Sequence, residues 1–405
     1  MRVRLGLPAT SFAARLAAGL AGGLATALLA VMAVAQTGEG LDRPAVREDG
    51  KMRVGTTARV FLPKEHDGFY NYAPTVIVDG NVVHAWWCQN REPYVVRDHI
   101  YYSFCENGGA GNPGSTGSSA VLVSSTGWAP PRPVLEPGRP GEWDSVHVCD
   151  PAVVAGSFRY AGEEYRYALF YTGTDQWDNN HNQIGVALAR EWGGPWVRYA
   201  GNPIVAATGT DVWGVGQPSV VSIDGKGRLW LFYTRGDRSG TYMVRRQLDF
   251  SGLSAPIIGF GLRLPEAGLT TGDGSRAILH NGDLVYDTGH DRFFLIAPRH
   301  PFDPELPGFV SSVLQLASIG GEAIRSGYGH WQLVGTIGPA DSGFPRNHNA
   351  ALVRTPTGTL PSPPGTSPGK GDILDIVFTT AVTGEQWLWS YTLYEARREI
   401  PSERG

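Results

Sequence analysis

The sequence predicts an all-β chain folded as a five-bladed β-propeller, and three observations carry that expectation. Five short β-type runs open on a small or polar residue: Ala73-Pro74-Thr75-Val76-Ile77, Asp150-Pro151-Ala152-Val153-Val154, Gln217-Pro218-Ser219-Val220-Val221, Ser275-Arg276-Ala277-Ile278-Leu279 and Asn349-Ala350-Ala351-Leu352-Val353. Their starts are 77, 67, 58 and 74 residues apart. Each run is followed by an aromatic-rich strand and then by another. Repeats of that size made only of strands suit blades around an axis. Composition agrees: 54 Gly, 29 Pro and 11% aromatic residues fit many tight turns, and no amphipathic helical period is found after residue 40.

In chain order, residues 1–35 form a secretory signal pattern. Met1-Arg2-Val3-Arg4 and Arg15 are positive, Leu16 to Met32 is an uncharged apolar stretch, and Ala33-Val34-Ala35 is a small-x-small cleavage site before Gln36. The alternative is an uncleaved anchor, since the apolar run is near the lower limit for a span. Cleavage leaves about 370 residues with no later spanning segment, hence an expected secreted, periplasmic or otherwise extracytoplasmic protein with no integral membrane domain. Residues 36–68 are a polar arm expected to help close the ring, and 69–400 form one propeller. Second strands are expected at Val82 to Trp87, Tyr167 to Thr172, Leu229 to Thr234, Arg292 to Ala297 and Ile373 to Thr380, where β-branched and aromatic residues suit a pleat packed on both sides. Third strands are expected at His99 to Phe104, Asn182 to Ala189, Thr241 to Gln247, Ser311 to Ala317 and Gln386 to Leu393. Fourth strands follow at Trp196 to Arg198 and Trp331 to Leu333. Loops rich in Pro, Gly and Ser span Gly108 to Ser119 and Pro356 to Gly371. Connections alternate between the two ends of a blade, so the second of these loops falls at the end remote from the site.

Three cysteines, Cys88, Cys105 and Cys149, are an odd number for an oxidising compartment. Cys88 and Cys149 both fall at the funnel end, which favours a bridge between them and leaves Cys105 a buried thiol; three unbridged cysteines are the alternative. A formal net charge of −4 supplies no basic stripe for nucleic acid. No Gly-x-Ser-x-Gly elbow, phosphate loop, dinucleotide fingerprint or local His-x-x-x-His spacing occurs.

The propeller topology selects the residues that face the funnel. Blade starts contribute Asp150, Gln217, Ser275 and Asn349, with His348 beside the last. Connections between second and third strands contribute Asp98, His99, Asp175, Asp178, His181, Arg235, Asp237, Arg299 and His300. Connections between blades contribute Asp144, His147, Asp211 and Asp273. Trp86, Trp87, Trp143 and Trp177 bring apolar faces to the same end. Carboxylates and guanidinia for hydroxyls, with rings for C–H faces, are what a sugar site needs. Trp86 and Trp87 point to opposite faces of one strand, so at most one of them reaches a ligand. Asp175 to His181 is too polar for core and long for a hairpin, which suits a substrate-contacting or calcium loop.

Asp150-Pro151-Ala152-Val153-Val154, Tyr167-Ala168-Leu169-Phe170-Tyr171-Thr172-Gly173, and Ile184 to Ala189 before Gly194-Pro195-Trp196 resemble a blade of the family-43 glycoside hydrolases. The resemblance is sharpest over residues 147–235. It extends to related five-bladed clans acting on arabinose, xylose, fructose or mannose units, and it implies a funnel site with inverting hydrolysis. Such enzymes carry three carboxylates at blade starts: a general base on blade one, a pKa-tuning acid on blade two and a glutamate general acid on blade three. Carried over, only the second is present, as Asp150; the others fall on Ala73 and Gln217, neither of which titrates. The resemblance also implies that His348, as a channel histidine, helps hold a calcium ion with waters.

Two readings follow. In one, the chain is a monomeric glycosidase with relocated carboxylates, in which Asp150, Asp98 and Asp175 are the catalytic candidates. Asp178, Asp211 and Asp273 are further replacement carboxylates, and its carbohydrate-binding candidates are Trp86, Trp87, Asp178, His181, Gln217, Arg235, Asp273, Arg299 and His348. In the other, the propeller binds glycan without turnover and Asp150 only caps turn amides.

Overall fold

The computed structural model describes residues 58–64, 66–106, 127–361 and 372–400. The signal-type segment 1–35, residues 36–57 of the arm and most of the two long loops lie outside these residues.

Five antiparallel sheets make a five-bladed β-propeller. Blade one is β2 (Tyr72–Asp79), β3 (Val82–Asn90), β4 (Asp98–Glu106) and β5 (Arg132–Leu135). Blade two is β6 (His147–Tyr160), β7 (Glu163–Thr174), β8 (Gln183–Ala189) and β9 (Val197–Arg198). Blade three is β10 (Gly214–Ser222), β11 (Arg228–Asp237) and β12 (Gly240–Asp249), whose outer side pairs with β13 (Ile257–Ile258) and β14 (Leu262–Arg263). Blade four is β15 (Asp283–Asp287), β16 (Arg292–Pro298), β17 (Leu314–Gly320) and β18 (Gln332–Ile337). Blade five is β19 (Arg346–Leu352), β20 (Asp372–Ala381) and β21 (Thr392–Ile400), completed on its outer edge by β1 (Arg59–Leu62). The N-terminal arm therefore closes the ring, pairing a strand from one end of the chain with the last strand.

Alternation along the second strands builds the core. Successive side chains leave a strand on opposite faces, so each second strand feeds two interfaces between blades. Trp86 packs with Ile77, Ile100, Val153 and Leu169 between blades one and two. Trp87, one residue on, packs with Phe61, Val76, Val377 and Leu393 between blades five and one. Three further clusters fill the remaining interfaces between blades. Both tryptophans are fully buried, and the Trp87 indole N–H donates to Asn71 Oδ1 at 3.1 Å and Gln89 Oε1 at 3.0 Å. Their place among the carbohydrate-binding candidates, of which at most one was expected to reach a ligand, is corrected: with an inter-blade seam on each face of β3, both are core.

Two of the differences from the sequence expectation bear on the site. The fourth blade starts at Asn281, six residues after Ser275. Ala277, Ile278 and Leu279 mimic a strand but precede it as irregular chain. The third strand of blade five is Thr392–Ile400, because Leu388–Ser390 is a 3₁₀ turn.

Residues 353–360 seal the end of the axis remote from the blade starts. The Val78 N–H donates to Arg354 O, Ala155 N–H to Pro356 O, Ser222 N–H to Thr357 O and Tyr286 N–H to Gly358 O. One segment thus touches the inner strands of the four other blades in turn. Gly358, at φ +82, passes so close that a Cβ would lie 2.7 Å from Val220 O. The buried Arg354 guanidinium reaches Asp283 Oδ2, and Asp283 Oδ1 accepts from Ser219 Oγ at 2.7 Å.

Candidate functional site

Blade starts line the opposite end of the axis, and their backbone explains why. Ala73, Asp150, Gln217, Asn281 and Asn349 have φ of 49, 48, 54, 45 and 40°. Left-handed backbone is costly for residues other than glycine and clusters at functional sites. At four of the five, the inner ladder slips register, between Tyr72 and Thr75, Cys149 and Ala152, Gly216 and Ser219, and His348 and Ala351. Such bulges re-aim a side chain. Pro74, Pro151 and Pro218 sit at the slips, where a missing N–H costs no ladder bond. Each start is tied to the preceding blade. The Ala73 N–H donates to Thr379 Oγ1 (3.4 Å), Asp150 N–H to Cys88 Sγ (3.0 Å), Gln217 N–H to Thr172 Oγ1 (2.9 Å) and Asn281 N–H to Thr234 Oγ1 (2.7 Å). By register Pro298 holds the equivalent place in blade four and offers no hydroxyl; the Asn349 amide oxygen instead accepts from Asn281 Nδ2.

Four of these starts, Asp150, Gln217, Asn281 and Asn349, line a cavity of about 180 Å³ walled by all five blades. Asp98, Asp150, Gln217 and His348 line it. His147, expected to face the funnel, lines it too, as do groups the sequence reading did not name: Tyr70, Tyr72, His280, Trp213, Phe302, Phe309, Trp387 and Tyr391 among them. Trp387 and Tyr391 fall in the stretch expected as the third strand of blade five, and His280 immediately precedes Asn281, where blade four starts. The pair Asn281-Gly282, a turn signal before a strand, was the available clue to the latter.

Other candidates stand outside the cavity. The Asp175 carboxylate is exposed and contacts His181 Nδ1 at 2.7 Å. Asp178 accepts from the Asn180 N–H at 3.2 Å; the same loop sends Asn179 and Asn182 to the cavity instead. Arg235 pairs with Asp237 at 2.7 Å and Arg238 with Asp211 at 2.5 Å. Asp273 accepts from Ser275 N–H in an exposed turn. Arg299 is absent from the lining, its N–H donating to Val313 O.

Two carboxyl groups share the cavity, and their surroundings drive them apart. Burial raises Asp150 from the ordinary 3.8 to about 6; a hydrogen bond from Thr172 opposes this and the Asp98 charge adds to it. Burial would raise Asp98 as well, but His147, by hydrogen bond and charge, and the Tyr70 and Tyr72 hydroxyls outweigh it and hold the carboxyl below its usual value. The Tyr70 hydroxyl donates to Asp98 Oδ1 at 2.6 Å, and His147 Nδ1 lies 3.2 Å from Oδ2. A pair split in this way supplies one protonated and one ionised group. Burial also lowers His280 and His348 to about 3, keeping both imidazoles neutral; His280 Nε2 lies 2.8 Å from His300 Nε2.

Cys88 and Cys149 form a disulfide with Cα atoms 5.2 Å apart, as expected, while Cys105 is a buried thiol. The bridge joins β3 to β6 under the cavity, one residue from Asp150. Among the described residues the cluster with potential metal donors is Cys88, Cys149 and Asp150, and a disulfide removes two of those donors. The calcium ion implied at His348 fits poorly too, because calcium takes six to eight oxygen ligands and His348 presents a ring nitrogen, Nε2, enclosed without a partner.

No family model matches the chain. Two uncharacterized proteins of Mycobacterium tuberculosis, from strains CDC 1551 / Oshkosh and H37Rv, are each 34% identical over 117 residues. That match spans 28% of this chain and 36% of the relatives' length. Among solved structures, a GH62 hydrolase in complex with xylotriose superposes with a TM-score of 0.53 at 12% identity, over 84% of this chain and 95% of its own. A family 117 glycoside hydrolase produced by the marine bacterium Zobellia galactanivorans gives 0.52 at 11% identity, over 84% and 89%. A β-xylosidase gives 0.51 at 12% identity, over 85% and 98%. At these identities the likeness is one of fold: the five-bladed propeller of these glycosidases.

Proposed function

We propose that this chain is an exported glycoside hydrolase acting on a poly- or oligosaccharide in the cavity at the blade starts. Asp150 is its general acid and Asp98 its general base. The observation that carries the reading is the pair of carboxyls in one cavity with oppositely displaced pKa values. Asp150, protonated up to about pH 6, gives its proton to the glycosidic oxygen as the C–O bond breaks. Asp98, ionised and held by Tyr70 and His147, takes a proton from the water whose oxygen bonds the anomeric carbon. One water is consumed, two hydroxyl-bearing ends form, and solvent returns the proton from Asp98 to Asp150. This division replaces the set implied by family resemblance, which fails at Ala73 and Gln217. Fold likeness to glycosidases supports the substrate class, and the Cys88–Cys149 bridge supports an oxidising compartment.

The test is a screen of neutral pentosides, hexosides and polysaccharides with wild type, Asp150→Asn and Asp98→Asn. Turnover by wild type that falls at least about 100-fold in each variant is expected, since general acid–base catalysis contributes 10²–10⁴. Binding by all three proteins with turnover by none would sink the hydrolase reading and leave a glycan-binding propeller.

A further inference from the structure

We propose, building on the hydrolase reading, that the cavity admits a single uncharged sugar at the end of a glycan chain, so that the chain is shortened from its end. The cavity is blind. Below it, residues 353–360 cross the axis and bond the inner strands of four blades. Around it, Tyr72, Asp150, Gln217, Asn281 and His348 come one from each blade, so side chains of all five blades ring the axis. A polymer threaded past the acid pair needs a groove with two open ends, and this ring has none.

Size agrees. The cavity volume is about 180 Å³. That suits one sugar ring and lies below the roughly 300 Å³ at which sites for larger ligands begin. One wall is apolar, with Phe302, Phe309 and Trp387 from blades four and five, and such rings pack against the C–H face of a sugar. Asp98 and Asp150 come from blades one and two, and Tyr70, which donates to Asp98, packs with Trp387 in the same apolar cluster.

Charge supplies the second half of the inference. Among the described residues, no Lys or Arg lines the cavity. His280 and His348 are neutral, and His147 is already engaged by Asp98. A uronate or sulfated unit would bring a second anion beside Asp98 with no unpaired cation to meet it. Like charges about 5 Å apart at an effective dielectric near 20 disfavour binding on the order of a hundredfold.

The test uses end-labelled oligosaccharide ladders from neutral arabinan, xylan, galactan, mannan and fructan, and from acidic polygalacturonan and carrageenan. Wild-type protein is followed for products, and Asp150→Asn is titrated with the same ladders by tryptophan fluorescence, since Trp213 and Trp387 line the cavity. The expected result is free monosaccharide as the first product of one neutral ladder, with binding at least about 100-fold weaker for acidic ladders. Binding should be lost when chain ends are blocked. Early products of mixed length, or preferred cleavage of an acidic ladder, would overturn this inference and leave the hydrolase reading standing. End-dependent binding with no turnover by wild type would support the single-sugar cavity while sinking the hydrolase reading. Neither binding nor turnover with any ladder would overturn both.

Discussion

Replacing Asp150 by Asn removes a titrating proton while keeping size and shape. Lifting this carboxyl from 3.8 to about 6 costs its ionised form about 3 kcal/mol in the folded state relative to the unfolded chain. The side chain is partly exposed to the cavity, so water there reduces the figure to about 1.5 kcal/mol. The sign follows from which state holds the proton. The folded pKa lies above the unfolded one, so the group's contribution is fully present below about pH 4 and is lost as pH rises through about 6. At pH 8 Asp150→Asn should therefore be more stable than wild type by about 1–2 kcal/mol, and at pH 4 the two should be nearly equal. Urea unfolding at both pH values reads this directly. Activity moves the other way: wild-type turnover should fall as pH rises through about 6, and the variant should lose it across the range. A variant less stable than wild type at pH 8 would refute the burial argument. Wild-type turnover rising from pH 6 to pH 8 would refute the acid role.

Three further outcomes are expected. Replacing Cys88 and Cys149 by Ser should cost about 4 kcal/mol for the bridge's sequence separation of 61, and thiol titration of denatured wild type should find one reactive group. Arg354→Met should cost about 3–5 kcal/mol in chemical denaturation by stranding Asp283 beneath the axis, whereas replacing both by apolar residues should recover most of that loss. Burial raises Glu395, which meets Arg59 of the closing strand, to about 7. Its contribution is thus present below about pH 4.5 and lost as pH rises through 7, and Glu395→Gln should flatten the pH dependence of thermal unfolding over that window.

Much of the ring was legible because strand signals are local. Pro after a small or polar residue marked three bulges, β-branched and aromatic runs marked the second strands, and alternation along Trp86 and Trp87 marked a strand packed on two faces. Asn281 was missed because blade four lacks the proline and carries an apolar decoy at Ala277 to Leu279. Trp387 and Tyr391 were missed because a 3₁₀ turn of apolar residues looks like strand in one dimension. Asp98 and Asp175 looked equivalent as loop carboxylates. What separates them is their neighbours: Tyr70 and His147, from other parts of the chain, enclose Asp98, while Asp175 faces solvent with His181.

By itself the sequence determined the architecture, the five-fold repeat and the pairing of Cys88 with Cys149 as the favoured bridge, since periodicity and turn chemistry act over a few residues. Tertiary structure decided which starts share a floor, which tryptophans are core, that residues 353–360 seal the axis, and that Asp150 and Asp98 meet with opposite proton affinities. Those properties depend on dielectric and on distances between residues far apart in the chain, and no local pattern encodes them.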